Sequence, residues 1–68
     1  MNIYLVKTSF DGIGRKKVEL FVNGLIFKSW TEEEFDNFYD VDYSFDEWVK
    51  EDIDAVVKHF PGKLTYSR

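Results

Sequence analysis

Sixty-eight residues, of which 13 are Phe, Tyr or Trp and none is Cys, specify one domain with an aromatic-rich core. The missing cysteines exclude disulfides, thiolate metal sites and cysteine nucleophiles, and a small domain without crosslinks is expected in the cytoplasm. The net charge of −4 is unevenly spread: residues 32–54 hold eleven carboxylates against one base, Lys50, while the flanks 1–31 and 55–68 are each +3.

Residues 2–10 read as a strand, because Ile3, Tyr4, Leu5, Val6, Thr8 and Phe10 favour extended backbone and the run is too short for a helix. No leader peptide is expected from Met1–Lys7, and no apolar run approaches the ~20 residues that span a bilayer. A soluble protein without a membrane partner is predicted. Asp11-Gly12-Ile13-Gly14 is a turn leading into Lys17–Val22. The Gly12-Ile13-Gly14-Arg15-Lys16-Lys17 stretch lacks the third glycine and following helix of a dinucleotide fingerprint, so it is read as a basic hairpin tip.

Asn23-Gly24 is the preferred pair for a two-residue type I′ turn, and it joins Lys17–Val22 to Leu25–Trp30. Counting outward predicts the pairs Val22–Leu25, Phe21–Ile26, Leu20–Phe27 and Glu19–Lys28. Val18, Leu20, Val22, Leu25 and Phe27 then face the core. Phe21, Ile26 and Trp30 share the second face, with Tyr4, Val6 or Phe10 as candidate neighbours, and form an apolar patch there unless Leu64-Thr65-Tyr66 folds back over it.

Thr31-Glu32-Glu33-Glu34 and Ser44-Phe45-Asp46-Glu47 are two capping boxes. The first predicts a short helix to about Tyr39, with Phe35 and Phe38 or Tyr39 buried. The second predicts a helix from Ser44 to about Phe60, stopped by Pro61-Gly62, with Phe45, Val49, Ile53, Val56 and Phe60 on one stripe. Asp52 falls on the apolar arc of that helix, either at its rim or paired with a basic group or tyrosine hydroxyl; the rim is the expected position. Residues 63–67 are an optional last strand. The expected fold is α+β, a three- or four-stranded antiparallel sheet with two helices on one face, in the order β-β-β-α-α(-β).

The residues argue against an enzyme. One histidine, His59, allows no Ser-His-Asp constellation beside a second imidazole function, and it sits where a helix C-terminus favours a cation. A chain this short has little material for both a core and a substrate cleft. Asp40–Asp46 places oxygens at alternate positions like the start of a calcium loop, with Glu51 in the twelfth place. However, Phe45 occupies the sixth, which needs glycine. No catalytic residue, metal or cofactor is expected.

The carboxylate block carries the functional expectation. Glu32, Glu33, Glu34, Asp46 and Glu47 complement the first turns of helices, which leaves Asp36, Asp40, Asp42, Glu51, Asp52 and Asp54 without such a role. Glu47, Glu51 and Asp54 follow the i, i+4, i+7 spacing of one helical stripe, with neighbours roughly 5–6 Å apart. A row of that kind suits a basic groove built for nucleic acid. The expected partner surface is therefore a basic protein, met by Asp36, Asp40, Asp42, Glu47, Glu51 and Asp54, with Phe21, Ile26 and Trp30 as apolar anchors. Direct nucleic-acid binding is not expected. The alternatives are an acidic face that only solubilises, a homodimeric assembly module using the aromatic sheet face, and a calcium-binding module. In size and acidic style the chain resembles the small proteins of phages and mobile elements that include nucleic-acid mimics, anti-CRISPR proteins and inhibitors of uracil-DNA glycosylase. That likeness is compositional and rests on no shared motif.

Overall fold

The computed structural model describes residues 1–36 and 44–67. Strands β1 (Asn2–Phe10), β2 (Lys16–Val22) and β3 (Leu25–Thr31) form an antiparallel meander. Helices α1 (Glu32–Phe35) and α2 (Phe45–His59) follow, and β4 (Gly62–Ser67) closes the chain. The sheet order is β3-β2-β1-β4, with β4 running parallel to β1. The class expected from sequence, α+β, is the one observed, but the sheet is mixed and not purely antiparallel. The physical reason is the return path: α2 carries the chain back along the sheet, so the next strand starts at the same end as β1 and pairs parallel with it. Gly62 permits this approach, since a Cβ there would lie 2.1 Å from the Asn2 carbonyl oxygen. Residues 64–66 consequently extend the sheet edge and do not fold over its open face.

Asn23 and Gly24 both have positive φ, 52° and 86°, as the type I′ turn requires. Asn23 also ties the turn to β1, donating its N–H to the Ile3 carbonyl at 2.8 Å and accepting the Ile3 N–H on Oδ1 at 2.9 Å.

The hairpin register holds for only two pairs, Val22–Leu25 and Phe21–Ile26. A bulge then shifts it, so that Lys28 faces Leu20, Ser29 faces Glu19 and Trp30 faces Val18. An extra residue in one strand moves every later side chain to the other face. Two expectations are thereby corrected: Glu19 does not face Lys28, and Trp30 leaves the open face for the centre of the core. Leu25 and Phe27 keep the expected helix side but are exposed there and not part of the core, a third correction.

The core lies between the sheet and α2: Tyr4, Val6, Val18, Leu20 and Trp30 from the sheet against Phe45, Val49 and Ile53 from the helix. Phe35 completes an aromatic trio with Phe45 and Trp48, with ring centroids 5.8–6.0 Å apart. Thr31 and Ser44 cap their helices by accepting the backbone N–H of Glu34 and Glu47, as expected. Phe38 and Tyr39, expected in the first helix, lie outside the described residues.

Candidate functional site

Because Phe45, Val49 and Ile53 turn α2 inward, the opposite side of the helix is fixed outward. Glu47, Glu51 and Asp54 all lie on that side and all are exposed. Over seven residues the row rises about 10 Å, and it continues toward Lys58 near the helix C-terminus. Asp36, at the end of α1, is exposed as well. Asp40 and Asp42 lie outside the described residues, as does most of the loop weighed for calcium.

Other members of the acidic block are held by the basic flanks. Glu32 accepts the Lys16 backbone N–H at 2.6 Å, while the Lys16 ammonium reaches both oxygens of Asp46 at 2.9 and 3.3 Å. Arg15 lies 3.9 Å from Glu33, and Lys28 lies 3.0 Å from Asp52. These contacts tie α1 and α2 to the sheet and the β1–β2 loop, and they partly neutralise four carboxylates of the block, of which Glu33 and Asp46 stay largely exposed. Asp52 combines the two positions considered for it: it sits at the rim, partly exposed, and pairs with Lys28 and with the Trp30 indole.

Of the three apolar anchors expected on the second face, Phe21 and Ile26 are there and Trp30 is not. With Leu5 and Ile3 they form a short row across β1, β2 and β3, and the Lys7 ammonium stands 5.6 Å from the centre of the Phe21 ring. The sequence reading missed a second exposed group on the helix side, formed by Leu25, Phe27 and Phe60. From Leu25 and Phe27 the next large apolar residue, Trp30, comes after three positions and not two, a phase break typical of a bulge that signals the shift of Trp30 but not the exposure of Leu25 and Phe27.

Two grooves flank α2. One, of about 240 Å³, has Val6, Val18, Val49 and Ile53 as its floor, with Lys16, Asp46, Lys50 and Tyr66 around it. The other, of about 210 Å³, lies between Tyr4, Val22, Phe27, Val56 and Phe60. Both fall below the ~300–1,000 Å³ usual for small-molecule sites. Among the described residues no group of three or more His, Cys, Asp or Glu side chains is placed to hold a metal ion, and no helix is long and apolar enough to cross a membrane. His59 is exposed in the last turn of α2.

No family model, curated protein or solved structure matches the chain.

Proposed function

We propose that the protein is a small binding protein, acting as an inhibitor or modulator, that sets the outer side of α2 against a basic, nucleic-acid-binding surface of a partner protein. One observation carries this reading. Glu47, Glu51 and Asp54 form an exposed row on a 15-residue helix whose opposite side is buried in the core, so their spacing is held by the fold. The row presents a charge about every 5 Å, against one phosphate per ~3.4 Å along a nucleic-acid strand. Asp36 adds a further exposed carboxylate. Nucleic-acid mimicry of the phage and mobile-element kind is the finer form of this proposal, and it is supported only by that charge row and the chain's acidic style.

Charges at a rim govern association rate and salt response more than residence time. Immobilised protein should therefore retain a partner from lysate at about 50 mM salt and release most of it at about 200 mM. The Glu47→Gln, Glu51→Gln, Asp54→Asn triple variant should retain little at either. Retention that ignores both the salt and the three substitutions would overturn the proposal.

A further inference from the structure

β3 is an edge strand of the sheet, and among the described residues its first three form an exposed apolar run. Leu25, Ile26 and Phe27 are 76%, 56% and 59% exposed. Leu25 pairs with Val22 on the helix side, Ile26 pairs with Phe21 on the open side, and Phe27 lines the groove beside Val56 and Phe60. This stretch therefore offers apolar side chains to both faces of a free sheet edge. Soluble proteins usually guard such an edge with lysine, proline or an inward charge. The opposite edge, β4, carries an exposed lysine, Lys63. Leu25–Phe27 contains no charge, and the nearby Lys28 is engaged by Asp52. The bulge that follows Ile26 limits pairing to the part of β3 next to the turn.

We propose that the β3 edge is the contact of a two-fold dimer in which Ile26 pairs antiparallel with Ile26 of a second copy, joining two four-stranded sheets into one. In a two-residue type I′ hairpin the residues flanking the turn, here Val22 and Leu25, direct their N–H and C=O at each other. Those of Ile26 then point away from β2. Two such residues across a two-fold axis exchange both hydrogen bonds. The same axis sets Leu25 against Phe27 of the second copy on the helix side. On the open side, the row Leu5–Phe21–Ile26 runs through the axis into its own mirror order. Lys28 falls opposite Gly24 of the other copy, so no charge is set against its like. Leu25, Ile26, Phe27 and Phe60 together offer on the order of 500 Å² per copy, which places the dimer near the low end of specific interfaces. Antiparallel union about an axis normal to the sheet keeps both α2 helices on one face. The dimer inference does not rest on the acidic row, but it would bring two copies of that row onto one surface.

Sedimentation velocity on the full chain from ~1 μM to ~500 μM tests it, the range in which an interface of this size dissociates. The wild type should pass from monomer to dimer, and amide exchange at Ile26 should slow as concentration rises. Leu25→Lys, at an exposed position on the helix side, should raise the dissociation constant at least about tenfold. Ile3→Lys, on the open face of β1, should leave it unchanged. A wild type that stays monomeric throughout overturns the proposal. So does a dimer that survives Leu25→Lys but is lost with Ile3→Lys, because that result assigns a face-to-face contact. If a lysine variant has lost the wild-type circular dichroism, the Ile26 exchange measurement decides alone, and exchange independent of concentration overturns the proposal.

Discussion

One oxygen of Asp52, Oδ2, accepts the indole N–H of Trp30 at 2.8 Å and the Lys28 ammonium at 3.0 Å. Trp30 is fully buried, and Lys28 also stands 5.3 Å from the centre of its ring. A carboxylate on the helix thus satisfies the one polar atom of the largest core side chain, and the lysine that the bulge turns to the helix side neutralises it. Asp52→Ala would strand the indole N–H at a cost of about 1–3 kcal/mol. For a domain of this size that corresponds to a fall in Tm of roughly 4–8 °C per kcal/mol, measurable by thermal denaturation. Asp52→Asn keeps a carbonyl acceptor and should lose less. Lys28→Met removes only a partly exposed ion pair and should cost under about 1 kcal/mol.

The bulge makes an unequal prediction for two aromatics of the same strand. Trp30→Ala should cost about 3–5 kcal/mol, comparable to the whole stability of a domain this small, and leave much of the population unfolded at 25 °C. Phe27→Ser, at a position 59% exposed, should cost under about 1 kcal/mol. An unbulged hairpin would reverse that order. Urea denaturation of the two variants separates the registers.

Gly62 is where β4 comes closest to β1. A methyl group there would meet the carbonyl oxygen and carbon of Asn2 at 2.1 and 2.8 Å, backbone atoms that cannot rotate aside. Gly62→Ala should destabilise by about 1–3 kcal/mol, and amide protection should fall first along the β1–β4 pairing. Hydrogen exchange resolves this from a uniform loss.

Much of this architecture was legible in the sequence because its signals are local. Asn23-Gly24 demands a tight turn, Thr31 and Ser44 announce caps, and the spacing of Phe45, Val49 and Ile53 fixes which side of α2 is buried. That last periodicity also places Glu47, Glu51 and Asp54 outward, so this part of the candidate site could be read without coordinates. What escaped depends on contacts between distant residues. The bulge is decided by where Trp30 finds a cavity and a partner in Asp52, 22 positions on. The parallel pairing of β4 is decided by the course of α2 and by the space at Gly62. Likewise, the engagement of Asp46 by Lys16 joins residues 30 positions apart, and composition alone does not reveal it.

Acid should loosen the β1–β2 loop only once pH falls below the ordinary carboxylate range. Asp11 Oδ1 accepts the backbone N–H groups of Arg15 and Ile13, each at 2.9 Å, and these bonds hold its carboxyl below the ordinary value of 3.8. A carboxyl whose pKa is lower folded than unfolded stabilises the fold above its unfolded value. That contribution is lost as pH falls through the folded one. Wild type should therefore exceed Asp11→Asn in Tm at pH 6, and the difference should shrink below about pH 3.8. A difference that stays constant to pH 2 would show that the carboxylate charge is not what holds the loop.

The acidic row on α2 is tested most directly by competition. Once a basic partner has been captured, labelled nucleic acid bound to that partner is titrated with the protein. The account predicts displacement by the wild type, weakened at least about tenfold by the Glu47→Gln, Glu51→Gln, Asp54→Asn variant and weakened further as salt rises. Simultaneous binding of protein and nucleic acid to the partner, or equal displacement by wild type and variant, would contradict it.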